Sequence, residues 1–343
     1  MKFKTLKNLD LAGIKKDNFP VFFNEFFLKG FSELRTSSFL LYKSYGKHQS
    51  YFVVMVKKIK FLKTIQFLSV PININGEKFS SEVERNILNE FINYIKINKV
   101  FDRVLQPANW VLFSSFPRNS INVSFGTYLI DLSYSLEHIF KSLHHKHRNV
   151  IRNARNKQVV IKSGKDQVIA FYSLYKSTMH RNSMYCEPLS YFKNLYTKEN
   201  QNILCSVAYS KNGISLGGLY IIYNKTGAYY LYGCSKLKVN VTGAINLLHF
   251  EVIKILKQKG VRKYDFVGAR LSDIKGTKLE GIQNFKKRFG GELIKGYLWK
   301  KDINKFRCFI FDKLIALKFI LFMKTPLKDI IDQELTNFQK NEV

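Results

Sequence analysis

The chain has 343 residues, 46% of them hydrophobic, which is enough for a substantial core and for two domains of ordinary size. Lys and Arg number 56 against 25 Asp and Glu, a formal net charge of +31, so polyanions such as nucleic acid, anionic lipid or phosphate-bearing substrates are the expected partners. This composition excludes a disordered chain, and four cysteines without a CxxC pair exclude a disulfide scaffold.

The sequence predicts neither export nor a membrane span. Residues 1–19 contain no apolar run of the signal-peptide type, and no uncharged apolar stretch approaches the roughly 20 residues that cross a bilayer. With cysteines of the reduced, buried kind, these features predict a cytoplasmic protein.

The first unit, residues 1–127, reads as mixed α/β. Strands are expected at 39–45 and 51–56, joined by a hairpin turn, and at 61–70, which Pro71 ends. A helix is expected from Ser81, because Ser81 and Glu84 fit a capping box and apolar residues then recur at helical spacing.

The next elements are a strand at 128–132 and one long helix at 135–157. Apolar residues of this helix fall within an arc of about 120°, and Lys141, Arg148, Arg152 and Arg155 share the opposite side. Residues 141–165 contain eight Lys or Arg and no acidic residue. Because a solvated face normally mixes charges, we expect this face to bind an anionic substrate; simple solvation is the alternative.

Three histidines on the same helix, His144, His145 and His147, raise the question of a metal. Their directions diverge, and no pair of carboxylates accompanies them. The sequence therefore predicts no metal site.

The remaining elements follow the order of one known architecture. Helices at 167–180 and 190–196 precede strands at 203–210, 214–223 and 228–233, which short Gly-containing turns join into a meander. A helix at 244–259, a strand at 264–267, a helix at 281–289 and a strand at 292–298 complete the series. This is the order of the GNAT acyltransferase core, so the predicted fold class is α/β (α+β), with a complete GNAT-like domain at 128–301.

The tail, residues 302–343, holds an apolar stretch at 306–323 that Asp312, Lys313 and Lys318 interrupt. It is too charged to span a bilayer and more apolar than an ordinary surface helix. This pattern predicts a basic amphipathic helix at the membrane interface; packing against the protein's own core or a dimer partner is the alternative.

A reaction site is expected where the fourth and fifth strands of the GNAT core diverge, here 228–233 and 264–268. Tyr232 and Asp265 would then line a substrate-binding cleft. The loop that holds the pyrophosphate of CoA in such folds keeps only Gly243 and Ala244 of its usual pattern, which disfavours CoA.

Two stretches carry a family resemblance. The first is Tyr-Leu-Ile-Asp-Leu-Ser at 128–133 followed by Lys-His-Arg-Asn-Val-Ile-Arg-Asn-Ala at 146–154. The second is Tyr-Asp-Phe at 264–266 followed by Gly-Ile-Gln-Asn-Phe-Lys-Lys-Arg-Phe-Gly at 281–290. With them the chain resembles the Fem-like (FemAB/FemX) peptidyltransferases, most strongly from 128 to 300.

The resemblance implies two tandem GNAT-like domains, of which the first, 1–127, is degenerate. It implies transfer of an amino acid from aminoacyl-tRNA to an amine of a UDP- or lipid-linked peptidoglycan precursor, without a bound cofactor. It places Phe285 and Lys286 at the reaction site, where an ammonium can stabilise the oxyanion. Arg181 is a further candidate, as a clamp for an acceptor phosphate.

One departure leaves the donor open. The span 193–201 has no room for the long two-helix arm of the best-known tRNA-using members. An acyl-CoA-dependent N-acyltransferase acting on an amino sugar of a surface polysaccharide is therefore the alternative. A non-catalytic RNA- or membrane-binding protein is a third hypothesis. If the acceptor is lipid-linked, the protein works in the cytoplasm at the inner face of the membrane, with 306–323 as the contact.

Overall fold

The computed structural model describes residues 2–6, 18–33, 38–45, 48–196, 202–237, 241–321 and 328–340. Thirteen strands within these residues form one mixed sheet. They are β1 (Lys2–Leu6), β2 (Ser38–Tyr45), β3 (Tyr51–Ile59), β4 (Leu62–Phe67), β5 (Arg103–Val104), β6 (Ile121–Asp131), β7 (Val160–Ser163), β8 (Ile203–Tyr209), β9 (Ser215–Asn224), β10 (Gly227–Ser235), β11 (Lys263–Asp265), β12 (Ala269–Arg270) and β13 (Glu292–Asp302). Their order is β1-β2-β3-β4-β5-β13-β6-β11-β10-β9-β8-β7, and β12 pairs with β6.

Ten α-helices accompany the sheet in the same ranges. They are α1 (Glu25–Glu33), α2 (Ser81–Ile97), α3 (Leu136–Ser142), α4 (His145–Asn156), α5 (Val168–Arg181), α6 (Leu189–Leu195), α7 (Ala244–Gln258), α8 (Lys278–Lys287), α9 (Lys305–Leu321) and α10 (Ile330–Lys340). The meander β8-β9-β10, the helix α7, the parallel strand β11, the helix α8 and the strand β13 follow the predicted order. The predicted fold class is confirmed.

Among the described residues the sheet separates two large apolar cores, and a third, smaller cluster contains Phe125, Leu298 and Ile331. Alternate residues of a strand point to opposite faces, and Tyr220 of β9 accordingly belongs to one core while its neighbour Ile221 belongs to the other. The first core is shared with the N-terminal unit and is rich in aromatic rings, such as the stacked pair Phe22 and Trp110, 4.7 Å apart. The second lies under α4 and α7.

The last strand joins the two parts of the sheet. β13 pairs along most of its length with β6, and its end at Lys301 and Asp302 pairs with β5. β6 starts at Ile121, before the predicted 128, so the predicted boundary between 1–127 and 128–301 lies inside a strand. The division into these units remains a prediction, whereas the sheet is continuous across it.

The single helix predicted at 135–157 is wrong. The chain forms α3 and α4, separated by Leu143 and His144 in extended conformation (ψ of 140° for both). A distant contact accounts for the break, because the His144 N–H donates to the carbonyl of Arg288 at 2.9 Å instead of continuing the helix. The His144 ring then caps α4 by accepting from the N–H of Lys146.

The predicted capping box at Ser81 and Glu84 is also wrong. The residue that caps α2 is Ser80, whose hydroxyl accepts from the Val83 N–H. Glu84 is fully buried, and its Oε1 accepts from the N–H of Ser115 at 2.8 Å. Burial raises the pKa of this carboxyl to about 7.

The described part of the tail contains two helices, whereas the sequence predicts one. α9 matches the predicted apolar stretch up to Leu321, and residues 322–323 lie outside the described part. The second helix, α10, is not predicted by the sequence pattern, and it packs against β6 and β13. Among the described residues, no helix is both long enough and apolar enough to cross a membrane.

Candidate active site

β10 and β11 separate after a short contact, and the gap between them forms a cleft. β11 runs parallel to β10 and pairs residues 264–265 with residues 228–229. Beyond these pairs β10 carries a bulge at Leu231, and the chain after β11 turns away to pair β12 with β6. The predicted divergence of 228–233 from 264–268 is confirmed.

A cavity of about 410 Å³ occupies this gap. Its walls come from β10, the loop after β11, the helix α8, and two distant segments. The lining residues that matter for the chemistry are Trp110, Tyr232, Gly268, Arg270, Gln283 and Lys286. Trp110 belongs to the first unit and Ile330, also in the lining, belongs to α10, so both flanking parts of the chain complete the cleft.

Lys286 lies in the cleft wall, as the family resemblance implies. Its Nζ donates to the carbonyl oxygens of Val267 at 2.6 Å and Gly268 at 2.7 Å. These two residues have positive φ, 51° and 82°, so the ammonium holds a loop of unusual backbone conformation. An ammonium has three donors, and its hydrogen bonds to the described residues use two of them, so the third is available to a ligand.

Burial lowers the pKa of Lys286 to about 8, and the cation Arg270 acts in the same direction while Asp265 opposes it. The side chain is consequently mostly charged at neutral pH but close to titration. A cation in a partly buried cleft can stabilise a developing oxyanion, because water screens it less there than at the open surface.

Gln283, one helical turn before Lys286, fixes the same loop. Its Oε1 accepts from the Arg270 N–H at 2.7 Å, and its Nε2 donates to the Arg270 carbonyl at 3.0 Å. Gln283 lies inside the stretch 281–290 that carries the family resemblance, but no motif marks it as a site residue. The spacing of Gln283 from Lys286 could have indicated that both side chains face the cleft, because residues three apart share a helix face.

Arg270 connects the cleft to α10. Its guanidinium pairs with Glu334 at 2.8 Å and donates to Gln333 at 2.7 Å. Glu334 is fully buried, and its carboxylate also accepts from the hydroxyl and the N–H of Ser272. No sequence motif pointed to this pair, since its partners are 64 residues apart.

Tyr232 lies in the cleft wall, where it was expected. Its hydroxyl hydrogen-bonds the hydroxyl of Tyr191 at 3.1 Å, and its ring packs edge-on against Tyr175 and Phe192. These neighbouring rings fix the orientation of the Tyr232 side chain in the cleft wall.

Asp265 does not line this cavity. Its Oδ1 accepts from the Thr127 hydroxyl and, at 2.7 Å, from the Val267 N–H, which fixes the start of the loop. It borders a second cavity of about 1290 Å³ that also contains Lys78, Arg262 and Lys263. Burial raises the pKa of this carboxyl, while its hydrogen bonds oppose the rise.

Phe285 points away from the cleft. Its ring packs against His147, His249 and Phe289, with centroids 5.2–5.4 Å away. The Nδ1 of His249 shares a hydrogen bond with the Tyr264 hydroxyl at 2.9 Å, while His147 Nδ1 and His249 Nε2 are buried and have no hydrogen-bond partner among the described residues. Burial lowers the pKa of His147 to about 4 and that of His249 to about 3, so this layer is uncharged.

The three arginines of α4 make different contacts. Arg148 donates to the carbonyls of Lys141 and Leu143 and so secures the break between α3 and α4. Arg155 pairs with Glu251 at 3.0 Å, and Arg152 lies over the Phe140 ring at 5.7 Å. None of the three lines the 410 Å³ cavity.

Arg181, at the end of α5, is exposed and lies near the cleft mouth. Its Nη2 is 3.4 Å from the carbonyl oxygen of Ser235, two residues beyond the lining residue Gly233. Of the four predicted substrate-binding arginines it is the one tied to a cleft strand.

The histidines predicted not to bind metal are spread over two environments. The rings of His144 and His145 are 4.2 Å apart, while the His147 ring packs against Phe289 at 4.8 Å. Within the described ranges no group of three or more His, Cys, Asp or Glu is arranged to hold a metal ion.

Gly243, in the remnant of the pyrophosphate loop, is explained by packing. It has φ 88°, and a Cβ at this position would lie 2.1 Å from the carbonyl oxygen of Val150 in α4. Residues 238–240 of the same loop lie outside the described part. The glycine is thus required by the close approach of α4, whatever ligand the protein binds.

The chain is similar to a known family in sequence. The model of the FemAB family matches residues 118–212 and 198–297, together more than half of the chain. A lipid II:glycine glycyltransferase from Staphylococcus haemolyticus is 25% identical over 171 residues, which cover 47% of this chain and 40% of that protein. The chain thus matches less than half of that relative's length.

Two solved structures share the fold. The crystal structure of FemX superposes with a TM-score of 0.62 at 14% identity, covering 89% of this chain and 98% of that one. A conserved protein of unknown function from Bacteroides thetaiotaomicron gives 0.54 at 14% identity, covering 88% and 100%.

Proposed function

Since the chain belongs to the FemAB family, we propose that it is an aminoacyltransferase acting on an amine of a peptidoglycan precursor. The observation that carries the proposal is the position of Lys286 in a cleft between two diverging strands. The similarity to a lipid II:glycine glycyltransferase supports a cell-wall acceptor.

The reaction requires little from the protein beyond positioning and charge stabilisation. The acceptor amine attacks the ester carbonyl of the aminoacyl donor, and a tetrahedral oxyanion forms. The ester C–O bond then breaks, the new C–N bond remains as the amide, and the proton lost by the amine passes to the leaving alkoxide oxygen, which becomes a hydroxyl. The Lys286 ammonium stabilises the oxyanion, and Gln283 keeps the surrounding loop in place.

Aminoacyl-tRNA is the proposed donor. Because α4 packs against Gly243, this glycine cannot be taken as a sign of CoA binding. Arg152 on α4 is exposed and has no carboxylate partner in the described part of the chain, so it can contact a phosphate of the tRNA.

The acceptor is proposed to enter through the larger cavity. The Lys78 side chain borders this cavity and forms neither a hydrogen bond nor an ion pair with the described residues, and Arg262 and Lys263 border the same space. Cations of this kind suit the phosphates of a UDP- or lipid-linked precursor. Such an acceptor, if lipid-linked, places the enzyme at the inner face of the cytoplasmic membrane.

A direct assay tests the proposal. Purified protein is given a panel of radiolabelled aminoacyl-tRNAs, or acyl-CoA, with UDP-linked and lipid-linked muropeptides as acceptors. We expect transfer from at least one aminoacyl-tRNA, and loss of about 10²–10³-fold in rate for Lys286→Ala. Lys287→Ala is the matched control, because Lys287 is exposed on the same helix and outside the lining.

The alternative, an acyl-CoA-dependent N-acyltransferase for amino sugars, has one observation in its favour. α6 ends at Leu195 and β8 begins at Ile203, so the intervening segment is too short for a two-helix tRNA-binding arm. Transfer from acyl-CoA, with none from any aminoacyl-tRNA, would establish this alternative in place of the proposed donor.

A further inference from the structure

The helix α9 is apolar on two opposite sides. At 100° per residue, one side carries Cys308 and Phe311, and we call it the inner face. The outer face comprises Phe306, Phe309, Leu314, Leu317, Ile320 and Leu321. The outer side chains are all exposed, from 46% for Leu314 to 73% for Phe306 and Ile320.

The inner face is docked on the protein itself. Cys308 is fully buried and its Sγ lies 3.3 Å from the Asp102 carbonyl. The Phe311 ring packs edge-on against Phe61 at 5.8 Å, and Asp312 pairs with Arg103 at 2.6 Å. The helix is therefore held in place by one side, and the other side faces outward as a fixed surface.

The charge around the outer face has one sign. Residues 305–321 contain Lys305, Arg307, Lys313 and Lys318 but only one acidic residue, which Arg103 already neutralises. Lys313 lies within the outer face, over the Phe309 ring at 5.4 Å, and Lys318 lies along its border. Neither forms an ion pair with a described residue.

We propose that the outer face of α9 binds the surface of an anionic membrane, with its apolar side chains in the interfacial region. Lysines among apolar residues suit this partner, because their stems lie along hydrocarbon while the ammonium groups reach anionic headgroups. A symmetric dimer through the same face would bring Lys313 and Lys318 close to their own copies, which is unfavourable. The inference deepens the proposed function by assigning the surface that brings the enzyme to a lipid-linked acceptor.

Flotation with lipid vesicles tests the proposal without any substrate. We expect the full chain to float with vesicles of phosphatidylcholine and phosphatidylglycerol, and to lose at least about tenfold in affinity when Phe309, Leu317 and Ile320 are all changed to serine. A matched control changes Ile97 and Ile169 to serine, since both are exposed apolar residues on other helices. The control should float like the wild type.

The outcomes separate the possible partners. Binding to the mixed vesicles should weaken with salt and with Lys313→Glu/Lys318→Glu. Equal binding to pure phosphatidylcholine would overturn the electrostatic part. A wild-type dimer that the triple variant dissociates, with no flotation, would overturn the proposal in favour of self-association.

A second readout separates this proposal from the proposed reaction. Transfer to a soluble UDP-linked acceptor should be unchanged in the triple variant, whereas transfer to a lipid-linked acceptor in vesicles should fall. Flotation without any transfer would leave the membrane surface standing and remove the proposed function. Transfer without flotation would support the proposed function and overturn the proposed membrane surface.

Discussion

Arg270, in the wall of the cleft, is ion-paired at 2.8 Å with Glu334, a residue of α10 whose side chain is fully buried. The backbone N–H and carbonyl of the same arginine form two hydrogen bonds with the side chain of Gln283, which lies one helical turn before Lys286. The C-terminal helix α10 thus supports the loop that Lys286 holds. The tail therefore contributes to the proposed reaction centre through α10 and to the proposed membrane-binding surface through α9.

Glu334→Ala is expected to destabilise the fold by about 3–5 kcal/mol, because it leaves the guanidinium of Arg270 largely buried without its counter-charge. Urea unfolding measures the change. Replacing both partners with apolar residues, Arg270→Met/Glu334→Leu, should cost clearly less than Glu334→Ala alone. A small effect of the single substitution would show that α10 is not tied to the cleft through this pair.

The transfer rate should depend on pH through Lys286. Its pKa is lowered to about 8, and the proposed mechanism needs the protonated form, so the contribution of Lys286 to the rate should be present below that pH and be lost as pH rises through it. Initial rates corrected for spontaneous hydrolysis of the donor give the profile. Lys286→Arg, if active, should move the fall to higher pH, and a fall that does not move would assign the titration to another group.

Much of this architecture could be predicted from sequence, because local patterns determine it. The meander β8-β9-β10 follows from alternating apolar residues and short turns, and the cleft then follows from strand order. The position of Lys286 came from the family resemblance. Phe285, which the resemblance pairs with Lys286, precedes it by one residue and so points about 100° away around the helix. Its ring consequently packs against the core under α4 and α7.

What could not be predicted depends on contacts between distant residues. The break between α3 and α4 at His144 depends on a hydrogen bond to Arg288. The position of Arg270 in the cleft wall depends on its ion pair with Glu334. The arginines of α4 looked equivalent because a helical projection shows only direction. Glu251 and Phe140, which distinguish them, come from other helices.

The buried histidine layer should make stability depend on pH. His249 has a pKa near 3 in the folded state against an ordinary value of 6.5, so the unfolded chain binds the proton first. Its contribution to stability is complete above about pH 6.5 and is lost as pH falls toward 3, at up to about 1.4 kcal/mol per pH unit. The slope of unfolding free energy against pH should be shallower in His249→Gln, which does not titrate, than in the wild type.

The separate roles of the α4 arginines lead to a last prediction. Arg152→Gln should weaken tRNA binding and reduce the slope of log affinity against log salt by up to about one, because an exposed arginine that contacts a phosphate releases one counterion. Arg148→Gln should instead lower stability, because Arg148 donates to the two carbonyls at the break between α3 and α4. Filter binding at several salt concentrations and thermal unfolding of the same variants distinguish the two effects. An unchanged salt slope for Arg152→Gln would mean that this side of α4 is only solvated, and that the donor contacts the protein elsewhere.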